Sequence, residues 1–154
     1  MFDVLELHAK LVANARPSGG EHTGIAKVLA ELAAPFVDEV KTDAMGNLIC
    51  HKKGKGKRVM LAAHMDAIGF MVTGADEEGF LSIHKIGWHD PAEIINARVV
   101  FPNGTRGILR AKESAKTLSG SWTAVRMEDL YLDIGAASQK EALKLAAVGD
   151  MAVF

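Results

Sequence analysis

Apolar residues first return at helical spacing: Val4, Leu7, Leu11 and Val12 follow Asp3, which is placed to cap a short amphipathic helix over residues 4–14. Pro17-Ser18-Gly19-Gly20 interrupts the pattern. Ile25, Val28, Leu29 and Leu32 then recur at i, i+3, i+4 and i+7 until Pro35, which predicts a second helix. Residues 37–42, 47–51 and 58–64 next read as three strands, joined by the turn Asp43-Ala44-Met45-Gly46 and by a lysine-glycine turn. The first 66 residues therefore predict helices set against a sheet.

Beyond Asp66 the pattern changes. Short strand candidates at 68–73, 80–86, 97–101, 107–111 and 130–134 are separated by turn signals such as Asp76-Glu77-Glu78-Gly79 and Pro102-Asn103-Gly104. Closely spaced short strands predict a small β-barrel or sandwich. One helix interrupts them: Ser138-Gln139-Lys140-Glu141 is a capping box, residues 142–148 form helices readily, and Gly149 stands where a C′ glycine would. Residues 151–154 read as a last strand. The expected fold is thus α/β over 1–66 followed by a mostly-β domain over 67–154, with no internal repeat or low-complexity tract.

Composition narrows the function classes. At 154 residues, 49% hydrophobic and 24% charged, with 18 basic against 19 acidic residues, the chain has an ordinary globular balance. It lacks the basic surplus expected of a partner to nucleic acid or an acidic membrane. The basic run Lys52-Lys53-Gly54-Lys55-Gly56-Lys57-Arg58 fits a solvated turn. No stretch approaches the ~18 apolar residues of a membrane span, and the start of the chain has no signal-peptide pattern, so a cytoplasmic protein is expected. The single cysteine, Cys50, lies inside a predicted strand and reads as a reduced, buried thiol.

The main chemical candidate is the run Val59-Met60-Leu61-Ala62-Ala63-His64-Met65-Asp66, an apolar strand pattern ending in His-x-Asp. Side chains alternate faces along a strand, so His64 and Asp66 are expected on one side at its carboxyl end, where open α/β sheets place their ligands. His-x-Asp also occurs by chance. A catalytic zinc takes about three protein ligands plus water, so the pair needs partners from elsewhere. Asp66 fits best as the residue that fixes the imidazole tautomer rather than as a ligand. His8, His22, His84 and His89 are weaker candidates, and His89, beside Trp88 and Asp90-Pro91, reads as structural or solvent-facing. No Gly-x-Ser-x-Gly elbow is present, and no pair of carboxylates stands out for glycoside hydrolysis.

Ala63-His64-Met65-Asp66-Ala67-Ile68-Gly69-Phe70-Met71-Val72 resembles the metal-site strand of the M42 aminopeptidases, a family of glutamyl and deblocking aminopeptidases that form tetrahedral dodecamers. Four further stretches agree in order: Pro17-Ser18-Gly19, Asp43 to Ile49, Gly79-Phe80-Leu81 with Ile86-Gly87, and Leu130 to Ala136. The resemblance implies a cytoplasmic peptidase acting on peptide substrates through two divalent metal ions, zinc or cobalt. It implies a partial zinc-peptidase (phosphorylase/hydrolase-like) α/β domain followed by a small β-barrel that helps assemble a homo-oligomer. By the same resemblance His64 matches a ligand of one metal ion and Asp66 the catalytic-site residue that orients it.

Family chains are much longer. Their remaining part carries a bridging Asp, a Glu-Glu pair containing the general base, another Asp and a distal His, so this chain is expected to bind at most one metal ion, weakly, and to be inactive alone. Where relatives often read Ile-Gly-Gly-Trp-Asp-Pro, this chain has Ile86-Gly87-Trp88-His89-Asp90-Pro91. The apolar pattern at Phe154 also points to an amino-terminal portion of a longer protein. The alternative is a non-catalytic assembly or binding module that pairs through its β-domain with itself or with a full-length relative. Apolar faces left without packing partners favour a homo-oligomer in either case.

Overall fold

The computed structural model describes residues 3–115 and 125–154. The chain divides into two compact units, residues 1–67 and 68–154.

In the first unit, α1 (Val4–Ala13) begins at Asp3, whose carboxylate accepts from the Leu5 and Glu6 amides at 2.9 and 3.2 Å. The helix α2 (Ile25–Ala33) buries Ile25 and Val28 and passes into a tight turn containing Pro35, which cannot continue it. β1 (Glu39–Thr42) and β2 (Leu48–His51) pair antiparallel, Glu39 opposite His51 and Thr42 opposite Leu48. Asp43 organises their connection by accepting from the amides of Met45 and Asn47 and from the Asn47 side chain, each at 2.9 Å.

Two expectations for this unit are corrected. Residues 58–64 form no strand. A strand needs a hydrogen-bonded neighbour, and β1 and β2 pair only with each other among the described residues. The apolar run instead lies outside any sheet and is open to solvent, with Val59, Met60 and Leu61 exposed at 83%, 86% and 95%. Cys50 is exposed rather than buried, because β2 belongs to a two-stranded ribbon with little covering it.

The second unit is a closed six-stranded barrel with strand order β3-β4-β7-β6-β5-β8. Its strands are β3 (Gly69–Ala75), β4 (Leu81–Ile86), β5 (Arg98–Val100), β6 (Arg106–Ala111), β7 (Leu130–Asp133) and β8 (Met151–Val153). Closure leaves no open sheet edge to be capped. Strand alternation fills its interior: on β6, Gly107 and Leu109 are buried while Arg106, Ile108 and Arg110 are exposed. Phe70, Val72, Leu81, Leu109 and Leu132 form the core with Val99, Phe101 and Ala152.

The helix α3 (Gln139–Leu145) adds Ala142 to that core, and Ala146, just past its end, joins it. Half of the expected capping box forms: the Ser138 hydroxyl accepts from the Glu141 amide at 3.3 Å, whereas the Glu141 carboxylate takes the Ala137 amide at 2.9 Å rather than that of Ser138. The end of the helix is not as expected. The helix stops at Leu145, and Gly149, at φ +93°, belongs to the following turn rather than to a helix cap. There Asp150 takes the Ala147 amide at 2.8 Å and the Gly149 amide donates to the Val72 carbonyl at 2.9 Å, which turns the chain directly into β8.

His89 packs inside this unit. It is 4% exposed, stacks on Phe70 with ring centroids 4.9 Å apart, meets Phe154 edge-on, and places Nε2 3.1 Å from the Gly69 carbonyl oxygen. A carbonyl oxygen can only accept, so Nε2 carries the proton. The neighbouring Trp88 is 78% exposed, so the bulky residue in this loop is accommodated by solvent.

Candidate functional site

His64 and Asp66 are brought together, though not by strand alternation. The His64 ring folds back along its own chain so that Nδ1 lies 3.0 Å from Asp66 Oδ1 and 3.1 Å from the Asp66 carbonyl oxygen. An ionised carboxylate is an acceptor only, which puts the proton of a neutral ring on Nδ1 and leaves the Nε2 lone pair free. The His64 side chain is 86% exposed and that of Asp66 30%, so the free nitrogen belongs to an open surface while its partner is half-covered.

The other carboxylate oxygen is held as well. Ser18 Oγ donates to Asp66 Oδ2. This hydroxyl, more than the partial burial that opposes it, keeps the Asp66 carboxyl below its ordinary range, and the His64 ring adds to the effect. Ser18 is positioned by a turn whose Gly20 amide donates to the Pro17 carbonyl at 2.9 Å, with Gly19 at φ +93°, the left-handed conformation a type II turn requires at its third position. The Gly19 amide is tied to the Glu21 carboxylate at 2.8 Å. The two segments are joined at the backbone: Pro17 bridges Ala67 in parallel, and the Ala67 amide donates to the Arg16 carbonyl at 2.9 Å.

A groove in the same unit runs past this cluster, lined by Gly19, His22, Leu29, Asn47, His64 and Asp66 among others. His22 is exposed there. In the second unit His84 is exposed on β4 and His89 is consumed by packing.

The donor chemistry at His64 suits one coordination position: a neutral imidazole with its tautomer fixed by a carboxylate and its other nitrogen open. It does not make a full set. Among the described residues no group of three His, Cys, Asp or Glu side chains converges to hold a metal ion. This cluster alone therefore falls short of the three protein ligands of a typical catalytic zinc.

The sequence placed Ser18 in a helix-breaking turn and in a stretch that resembles the family, but assigned it no role in the site. Its partner lies 48 positions away, and no short-range spacing rule reaches that far.

A family model described as M42 glutamyl aminopeptidase matches residues 46–154. A protein of Acetivibrio thermocellus, described as a candidate aminopeptidase, is 41% identical over 154 residues, covering 100% of this chain and 44% of its own length. The crystal structure of a TET aminopeptidase from the marine sediment archaeon Thaumarchaeota archaeon SCGC AB-539-E09 has a TM-score of 0.85 at 30% identity, over 97% of this chain and 44% of that one. The Pyrococcus horikoshii TET1 peptidase, described as able to assemble into a tetrahedron or a large octahedral shell, has a TM-score of 0.80 at 30% identity, over 98% of this chain and 46% of that one. The chain spans less than half the length of these relatives.

Proposed function

Because the chain belongs to the M42 glutamyl aminopeptidase family, we propose that it is part of a metal-dependent aminopeptidase that removes amino-terminal residues from peptides, with His64 as one metal ligand and Asp66 as the residue that orients it. The observation that carries the reading is the His64 Nδ1 to Asp66 Oδ1 contact at 3.0 Å, which leaves Nε2 as a free donor. The aminopeptidase descriptions of the Acetivibrio relative and the Thaumarchaeota structure support it.

Two divalent ions, zinc or cobalt, complete such a site in the whole protein, and the present chain holds at most one of them weakly. When bound, the metal lowers the pKa of a water and polarises the scissile carbonyl. What this chain contributes is an imidazole in one tautomer, an ionised carboxylate behind it and an open groove beside it.

In this reading residues 1–66 belong to the catalytic domain and residues 67–154 form the barrel domain that takes part in assembly. The assembly described for the Pyrococcus horikoshii peptidase supports a homo-oligomer, as does the exposed apolar run Val59-Met60-Leu61. A cytoplasmic setting is proposed from the free thiol of Cys50. Among the described residues no helix is long and apolar enough to cross a membrane.

The test is hydrolysis of aminoacyl p-nitroanilides by the purified 154-residue chain with excess zinc or cobalt. Little or no hydrolysis is expected. Robust hydrolysis that His64→Ala abolishes would mean that the chain already holds a complete active site, and the reading of it as a part would fail.

A further inference from the structure

We propose that Ser18 is a positioning residue for the metal-site histidine: its hydroxyl clamps Asp66 Oδ2 so that Oδ1 faces His64 Nδ1 and holds the imidazole as the Nδ1–H tautomer. The inference rests on the reading of His64 as a ligand, but the clamp itself is a property of the metal-free chain.

The two oxygens of Asp66 have separate duties. Oδ2 accepts from Ser18 and Oδ1 meets His64. A carboxylate held at one oxygen only can turn about its last torsion, which for Asp is broad. Held at both, it presents a fixed acceptor to the ring. The backbone gives the clamp its rigidity, because Pro17 is almost fully buried and bridges Ala67, next to Ser18 and Asp66 respectively. The turn closed by Gly20 and the left-handed Gly19 aims the hydroxyl. Helical and strand pairings place none of these residues; the contact exists only because two segments 48 positions apart are tied side by side.

The consequence concerns the free nitrogen. With Nδ1 protonated and engaged, Nε2 keeps its lone pair. Without Ser18, Asp66 loses its fixed orientation and His64, 86% exposed, relaxes toward the Nε2–H tautomer that free histidine prefers, with the lone pair on the wrong nitrogen. Partners of this kind typically change metal affinity by about 10- to 100-fold.

The experiment is long-range ¹H–¹⁵N NMR of the metal-free 154-residue chain near neutral pH, which reads the tautomer of each histidine. The wild-type chain is expected to show His64 as Nδ1–H. Ser18→Ala is expected to shift it to a mixture dominated by Nε2–H, while His89, fixed by the Gly69 carbonyl, stays unchanged and reports that the barrel unit is folded. Ser18→Thr, which keeps the hydroxyl, is expected to retain Nδ1–H. An unchanged His64 tautomer in Ser18→Ala overturns the proposal, and so does a tautomer lost equally in Ser18→Thr. Zinc titration of the same samples separates the two readings. A tautomer shift with roughly tenfold weaker zinc binding at His64 supports both, whereas a tautomer shift with no zinc response at His64 in any variant keeps the clamp and rejects the ligand.

Discussion

The rings of Phe70 and His89 lie face to face, with centroids 4.9 Å apart and planes inclined by 16°, and this stack closes one part of the barrel unit together with Phe154. It turns a polar side chain into core. Its Nε2–H is matched by the Gly69 carbonyl at 3.1 Å, so the ring can be buried without leaving that donor unmet.

Replacing His89 by alanine removes the stack and leaves the Gly69 carbonyl without this partner. An aromatic pair contributes roughly 1 kcal/mol beyond its area, and a lost buried hydrogen bond costs about 1 kcal/mol. His89→Ala is therefore expected to lower stability by roughly 2 kcal/mol, read as a lower urea midpoint with an unchanged slope. A midpoint equal to that of the wild type would show that the stack is incidental.

Gly107 on β6 predicts a second loss. A Cβ there would lie 2.7 Å from Leu132 Cδ1, 2.9 Å from Ile134 Cγ2 and 3.0 Å from the Asp133 carbonyl oxygen. The leucine tip can move, but the backbone oxygen cannot without disturbing the β6–β7 pairing. Gly107→Ala is expected to cost about 1–3 kcal/mol by overpacking and to lower the melting temperature. An alanine variant that melts with the wild type would mean that β7 shifts freely.

The β1–β2 turn should respond to acid. Asn47, through its side chain and then its amide, holds the Asp43 carboxyl below its ordinary value of 3.8, with the Met45 and Gly46 amides assisting. The folded value lies below the unfolded one, so the contribution is full above pH 3.8 and is lost as pH falls through the folded value. The Asp43 carboxyl ¹³C signal should titrate below the ordinary carboxylate range, and Asn47→Ala should move its midpoint upward. A midpoint unaffected by Asn47→Ala would remove the side-chain contact as the cause.

Elements whose partners lie close in sequence were legible. Asp3 and Ser138 announced their helices, and the hairpin turn at Asp43 to Gly46 and the short barrel strands followed from turn residues and alternation. What failed were inferences that depend on distant neighbours. The run 58–64 has strand composition, but composition does not provide the adjacent strand that hydrogen bonding requires, and Cys50, though paired with β1, is exposed because little covers the two-stranded ribbon. Gly149 looked like a helix cap because the local pattern omits Asp150 and Val72, which capture the turn instead. At the candidate site, the His64–Asp66 pairing was legible from a three-residue spacing, whereas the contact of Ser18 with Asp66 was legible only from the fold.

His64 Nε2 is proposed as the metal-binding atom of this chain. The most direct measurement is a cobalt(II) titration of the 154-residue chain followed by the ring signals of its six histidines, with His64→Ala as the control. The His64 ring is expected to broaden first, on its Nε2 side, and His64→Ala is expected to remove the tightest binding event. If His64 broadens no earlier than the exposed His8 and His22, or if the alanine variant binds cobalt as the wild type does, His64 is not a ligand and the proposed metal site must lie elsewhere.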